Sequence, residues 1–134
     1  MSVQVTAAGT KATGVWIATC LLTIVFLLSG GTKLAGSQMH IDNFLGWGYP
    51  DWFRLIVGTI EIVSALLLLW PRSAPYAAAA LTVTMVGAVG THIVAGELSM
   101  AIVPAILGVL AAWVGWRRWL VVARGGASRV ARSA

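Results

Sequence analysis

Four ionisable residues lie within or beside apolar segments of the chain, where a charge is costly: Lys33, Arg54, Glu61 and His92. Glu61 interrupts the apolar run 56–69. A charged residue at the centre of a bilayer costs about 3 kcal/mol on insertion scales, so such an acid faces a protein interior and has a partner. A carboxyl group and an imidazole at one site support acid–base chemistry or the binding of a polar ligand group.

The composition indicates a membrane protein. The 134 residues are 59% hydrophobic and 10% charged, and the mean hydropathy is +0.89. An ordinary soluble domain has about 25% charged residues. The net charge of +5 does not indicate nucleic acid, because five arginines follow the last apolar segment and suit anionic lipid headgroups. These five are Arg117, Arg118, Arg124, Arg129 and Arg132.

Four segments have the roughly 20 apolar residues that a spanning helix needs. They run over about 14–34, 52–70, 74–95 and 100–116. The fold class predicted is all-α, an integral membrane four-helix bundle in one domain. An outer loop spans 35–51, a cytoplasmic N-terminal tail spans 1–13 and a basic cytoplasmic tail spans 117–134. The first apolar segment has no clear A-x-A cleavage site, so we expect it to stay in the protein.

The distribution of Lys and Arg predicts the orientation. Lys11, Arg72 and the five C-terminal arginines lie on one side of the predicted membrane, whereas Lys33 and Arg54 lie on the other. Positive charge favours the cytoplasmic side. We therefore expect a multi-pass protein of the plasma membrane with both termini in the cytoplasm and the long loop outside.

The same topology brings the four ionisable residues to one depth. Arg54 lies two helical turns from Glu61 on the same face, Lys33 ends the first helix, and His92 lies near the outer end of the third. We predict Glu61 and His92 as catalytic acid or base, and Lys33 and Arg54 as ligand-binding residues. The simpler alternatives stay open: Lys33 and Arg54 reach the headgroups, His92 only packs, and Glu61 forms a structural ion pair or hydrogen bond.

The outer loop is unusually apolar and aromatic for a connection. We predict that Phe44 and Trp47 in the loop, with Met85 on the third helix, contact the apolar body of a ligand. The loop would then form a lid over the polar cluster. The alternative is that the loop only anchors the protein at the membrane interface.

The small residues of the last two predicted helices indicate close helix packing. We expect this of Gly87 and Gly90 on the third helix and of Gly108 and Gly115 on the fourth.

Metal and haem sites are disfavoured by the residue inventory. The chain has two histidines, His40 and His92, and one cysteine, Cys20, so it has no metal-ligand cluster and no internal disulfide. A haem held by both histidines would require the loop to fold over the third helix. The cofactor is left unknown, with a quinone as a candidate.

Several short motifs resemble the DoxX and DoxX-like family of small four-helix membrane proteins. They are SGGTKL at 29–34, GWGYP at 46–50, GTIE at 58–61 and GAVGTH at 87–92. The resemblance covers about 15–116. It implies a link to quinone-linked oxidation of sulfur compounds, with which the membrane subunit that gives the family its name is associated, or to redox-stress complexes.

The first functional hypothesis is that the protein binds a lipophilic, quinone-like molecule as an accessory subunit of a redox system. The second is a membrane enzyme acting on a lipophilic substrate by acid–base chemistry, and whether the chain is an enzyme is left open. The third is an assembly or structural partner of another membrane protein. Transport is a fourth, and it would require a homo-oligomer. The expected partners are the lipid bilayer, a lipophilic small molecule, and a membrane protein or second copy; nucleic acid is not expected.

Overall fold

The chain is all α-helical in a computed structural model that describes residues 2–133. No strand occurs within that range. The five helices are α1 (Ser2–Leu34), α2 (Gln38–Gly46), α3 (Asp51–Leu67), α4 (Ala74–Val94) and α5 (Ile102–Ser133). The predicted all-α class is therefore confirmed. The outer loop contains α2, and helix continues through 2–13 and 117–133, so the membrane boundaries inside α1 and α5 stay predictions.

Three helices are long and apolar enough to cross a membrane, whereas the sequence predicted four. They are α1 from Lys11 to Leu34, α4, and α5. The remaining predicted span, 52–70, is the 17-residue helix α3, which ends at Leu67 because the chain turns through 68–73. At 1.5 Å per residue α3 is about 25 Å long, less than a hydrocarbon core of about 30 Å.

Three helices end with the same glycine motif, and all three ends lie on one side of the molecule. Gly36, Gly48 and Gly96 follow α1, α2 and α4 with φ values of 75°, 84° and 77°, which favour glycine. In this Schellman arrangement the next amide bonds back to the third-last helical carbonyl. The amides of Ser37, Tyr49 and Glu97 donate to the carbonyls of Thr32, Phe44 and His92. We call this side the loop end, and the opposite side, where α1 starts and α5 finishes, the termini end.

The four longer helices pack in a closed ring, and the core fills only part of it. Helix α1 contacts α3 and α5, and α4 contacts the same two helices. The buried apolar cluster comprises Ala18, Leu22, Phe26, Ala65, Leu68, Ala77, Ala78, Leu81, Met85, Ala111 and Val114. The cluster begins at Phe26 on α1 and Met85 on α4 and extends from there towards the termini end. The loop half is left for a cavity.

Two glycines set the crossing of α1 and α3. A Cβ atom built on Gly30 would lie 2.7 Å from the Gly58 carbonyl oxygen, and one on Gly58 would lie 3.0 Å from the Gly30 carbonyl oxygen. The backbones therefore touch at this point, as small residues permit between membrane helices. Lys33 and Glu61 each lie three residues after one of these glycines, so the crossing brings their side chains together.

The predicted packing glycines of the last two helices divide into two groups. Gly108 and Gly115 on α5 do contact α4, because an added Cβ would lie 3.1 Å from Met85 Cβ and 2.9 Å from Ala78 Cβ. Gly87 and Gly90 on α4 have open space beside them, with nothing within 4 Å of an added Cβ. Their predicted role in close helix approach is wrong, because no neighbouring helix comes within 4 Å of an added Cβ at either position.

We expect Gly30→Ala to destabilise the protein by about 1–3 kcal/mol, because the added methyl group forces α1 and α3 apart. Gly31→Ala is the matched control, since the neighbouring glycine has nothing within 4 Å of an added Cβ. Thermal unfolding in mild detergent measures both variants against the native chain. Equal melting temperatures for the two variants would contradict the backbone contact.

Candidate functional site

A cavity of about 630 Å³ occupies the loop half of the molecule. This volume is typical of small-molecule sites. The structure brings six of the seven predicted site residues to its wall: Lys33, Phe44, Trp47, Glu61, Met85 and His92. The seventh, Arg54, does not line the cavity. The geometry thus gathers the residues, while their catalytic and ligand-binding roles stay predictions.

A buried ion pair forms one wall of the cavity. Lys33 Nζ lies 3.0 Å from Glu61 Oε2 and 3.2 Å from Oε1, and it donates a third hydrogen bond of 2.7 Å to Ser29 Oγ. Lys33 is 8% exposed and Glu61 only 1%. The three ammonium hydrogens are thus satisfied, and the pair carries no net charge. Glu61 has the structural partner that one of the simpler alternatives required, and Lys33 does not extend to the headgroups.

Arg54 contacts the wall formed by Lys33 and Glu61 but does not face the cavity. It is 4% exposed, so it does not extend to the headgroups either. Its Nη1 donates to the backbone carbonyl oxygen of Lys33, and its Nη2 lies 2.9 Å from Asp51 Oδ1. Arg54 therefore connects the end of α1 to the start of α3 and positions Lys33. It does not pair with Glu61, although both residues share a helix face.

Aromatic side chains cover the cavity at the loop end. Phe44 on α2 is 6% exposed, and its ring centroid lies 5.4 Å from Trp47 and 6.1 Å from Tyr49. Tyr49 also packs on Phe53 at 4.9 Å. Phe44 points from α2 into the cavity, so the loop covers the cavity at this end. We call this cover, formed by Phe44, Trp47, Tyr49 and Phe53, the aromatic roof.

The roof is tied to the opposite wall by polar contacts. Glu97, in the α4–α5 connection, accepts from Trp47 Nε1 at 3.3 Å and lies 2.9 Å from His92 Nδ1. A carboxylate only accepts, so Nδ1 carries the hydrogen and Nε2 of His92 is the ring nitrogen left for a ligand. Thr91 gives its hydroxyl hydrogen to the Gly87 carbonyl, so it accepts from the Tyr49 hydroxyl at 2.9 Å.

The sequence missed several residues of this site. His40, Tyr49, Thr91 and Glu97 were not predicted as site residues, yet the first three line the cavity and Glu97 holds His92. The available signal was position: His40 follows the left-handed Gly36, and Glu97 follows Gly96. Both glycines turn the chain back over the helix they terminate.

The His40 imidazole lies in an environment that disfavours its protonation. Partial burial, followed by the positive charges of Lys33 and Arg54, lowers its pKa below the ordinary value of 6.5. Its Nε2 lies 3.1 Å from Thr32 Oγ1. At neutral pH the ring is therefore an uncharged member of the cavity wall.

The part of the chain that the structure describes contains no group of three or more His, Cys, Asp or Glu side chains that could hold a metal ion. Within these residues, the polar groups of the site are the Lys33–Glu61 ion pair, the His92–Glu97 pair, and neutral hydroxyl, indole and imidazole groups.

We expect Glu61→Leu and Lys33→Met each to cost about 3–5 kcal/mol, because each leaves a buried charge without its partner. The double variant removes both charges and should recover most of this loss. Denaturant unfolding of the four proteins gives the coupling free energy of the cycle. Additive single effects would show that the two side chains do not depend on each other.

We expect stability to fall below pH 6.5 in part because of His40. Its lowered pKa means that the unfolded chain binds the proton more readily, so this stability is present above pH 6.5 and is lost as the pH falls. Melting temperatures from about pH 5 to 7.5 of the native chain and of His40→Gln test this, the range bracketing the histidine titration. The native curve should fall more steeply. Parallel curves would rule out a contribution from His40.

The sequence of the chain is similar to those of known proteins. Residues 17–114 match the DoxX-like family, well over half of the chain. The chain is also similar to the uncharacterized protein YdgD of Bacillus subtilis (strain 168), with 34% identity over 73 residues. That match covers 51% of this chain and 64% of the relative, less than two thirds of its length. No solved structure matches the chain.

Proposed function

The chain belongs to the DoxX-like family, and from that premise we propose that it is a membrane protein that binds a lipophilic, quinone-like molecule in the loop-end cavity. It would act as an accessory subunit of a redox system. The observation that carries the proposal is a cavity of about 630 Å³ whose floor is apolar and whose walls present a buried ion pair and an oriented histidine.

In the proposed topology the chain crosses the plasma membrane four times, and both termini lie in the cytoplasm. Helix α3 would be the fourth crossing, although it is shorter than the hydrocarbon core of a bilayer. Two observations support this: α3 packs between α1 and α4, which are themselves long enough to span, and its Ser64 and Ala65 are buried against them. The cavity then lies in the outer half of the membrane.

The cavity divides into an apolar region and a polar region, which suits an amphipathic ring compound. Phe26 and Met85, both buried, form the floor beside the core. The polar groups lie nearer the loop end: the Lys33–Glu61 pair on one wall and His92 on the other. A ligand with oxygen atoms on a flat ring would place them among these groups and its apolar body on the floor.

Several cavity residues also face outwards, which supports entry from the bilayer. Ile60 on α3 is 39% exposed and Val83 on α4 is 72% exposed, and both line the cavity. Helices α3 and α4 are neighbours in the ring, so we infer that the cavity opens to the bilayer between these side chains. A lipophilic molecule could pass through it without crossing the aromatic roof.

A membrane enzyme is the second candidate, and one contact favours it. The His92–Glu97 pair holds the imidazole in a single orientation with Nε2 free, the arrangement in which a histidine acts as general base or acid. Glu61 suits that role less well, because both of its oxygens accept from Lys33. Turnover of a lipophilic substrate by the isolated protein, lost in His92→Gln, would distinguish this function from simple binding.

The proposal predicts that Gly87→Phe abolishes ligand retention. Gly87 lines the cavity and has open space beside it, so a phenyl group fills the cavity without displacing backbone. Protein purified from its own membranes in mild detergent would be extracted, and bound prenyl compounds identified by mass spectrometry. The native chain should carry a near-stoichiometric ligand that the variant lacks.

Gly90→Phe is the matched control, because Gly90 is on the same helix, is equally unobstructed, and does not line the cavity. It should keep the ligand. Finding only bulk phospholipid with all three proteins would refute ligand binding, and equal loss in both variants would show that the cavity is not the site.

A further inference from the structure

A second cluster, at the termini end, contains a buried cation that is not part of the cavity. Arg118 on α5 is 8% exposed and points into the interface with α1. Its Nη2 lies 3.3 Å from the hydroxyl of Thr19, which is fully buried, and its guanidinium carbon lies 4.0 Å above the Trp16 ring. Its Nε is buried and has no hydrogen-bond partner among the described residues.

Within residues 2–133, no carboxylate side chain neutralises Arg118. The sequence contains four acidic residues, Asp42, Asp51, Glu61 and Glu97, and all of them lie in the loop half. Each is already bonded there: Asp42 to Gln38, Asp51 to Arg54, Glu61 to Lys33 and Glu97 to His92. No ion pair of Arg118 occurs within residues 2–133.

A hydroxyl group and an aromatic face hold a guanidinium in place without neutralising it. A buried charge is strongly destabilising unless it is paired and its hydrogen bonds are satisfied. The contrast with the loop end is direct, since there both buried cations, Lys33 and Arg54, have carboxylate partners. The counter-charge for Arg118 therefore comes from outside the chain.

We propose that Arg118, between α1 and α5, is the centre of a binding site for a phosphate anion, supplied by the headgroup of an anionic lipid at the termini end. A guanidinium binds phosphate oxygens through a planar fork of donors, and Trp16 and Thr19 hold that fork in a fixed orientation. The further arginines of α5, Arg117 and Arg124 among them, add positive potential at this end. Basic sites between membrane helices are typical of lipid headgroup recognition.

The test compares the native chain, Arg118→Gln and Arg117→Gln in nanodiscs of phosphatidylcholine and of phosphatidylcholine with phosphatidylglycerol. The native chain should melt several degrees higher with the anionic lipid, and native mass spectrometry should show retained phosphatidylglycerol. Arg118→Gln should weaken that retention by roughly 10- to 100-fold, the effect of losing hydrogen bonds to a charged group. Arg117→Gln removes an equal charge at the preceding position and should keep the retained phosphatidylglycerol.

The behaviour in pure phosphatidylcholine separates a binding role from a structural one. There Arg118→Gln should be at least as stable as the native chain, because the choline cation of this zwitterionic lipid balances its phosphate and leaves no net negative charge for Arg118. Arg118→Lys keeps the charge without the fork and should retain phosphatidylglycerol less well than the native chain. Adding millimolar inorganic phosphate to the phosphatidylcholine nanodiscs should not stabilise the native chain; stabilisation would make free phosphate, and not a lipid, the ligand.

Three results would overturn the proposal. The first is a native melting temperature that does not change with anionic lipid, which would leave a carboxylate of a protein partner as the source of the counter-charge. The second is an equal loss of stability by Arg118→Gln in both lipids, which would make Arg118 a structural residue. The third is an equal loss of retention in Arg117→Gln, which would indicate diffuse attraction by the basic segment.

Discussion

The loop half of this protein depends on one constraint: a carboxylate buried among apolar helices must be neutralised. Glu61 is 1% exposed and meets Lys33 at 3.0 Å. Close to this pair the backbones of α1 and α3 touch, which the lack of a Cβ on Gly30 and Gly58 allows. Arg54 on α3 also bonds to the Lys33 carbonyl oxygen at the end of α1. This wall of the cavity thus combines a buried ion pair with a close helix crossing.

The two halves of the helix ring have different roles. Towards the termini end, buried residues that include alanines, leucines and Phe26 form one apolar core. Towards the loop end the same helices enclose a cavity, and polar and aromatic contacts at the rim replace apolar packing. A packed half that sets the helix positions and an open half that holds polar groups is the usual division between a scaffold and a binding site.

The sequence identified Glu61 and the depth of its neighbours but not its partner. Lys33, Arg54 and His92 all lay at a suitable depth, and depth does not distinguish side chains on different helices. The choice is made by the contact of Gly30 with Gly58, which no one-helix pattern reveals. The apolar segments likewise predicted a span over 52–70, whereas the turn at 68–73 shortens α3 to 17 residues. The family resemblance from short motifs was confirmed by the match over residues 17–114. Those motifs include Gly30, Lys33, Gly58 and Glu61.

The separation of charge between the two ends has a consequence for how the protein sits in an energised membrane. All four acidic side chains and only two of the nine basic ones lie in the loop half, so the molecule is a large electric dipole along the helix axes. A membrane potential acts on such a dipole with about 2.3 kcal/mol per elementary charge for each 100 mV. In the proposed topology, with the termini end in the cytoplasm, an inside-negative potential would hold the protein in that orientation. Collapse of the potential would change the field across the cavity wall, where Lys33 and Glu61 meet.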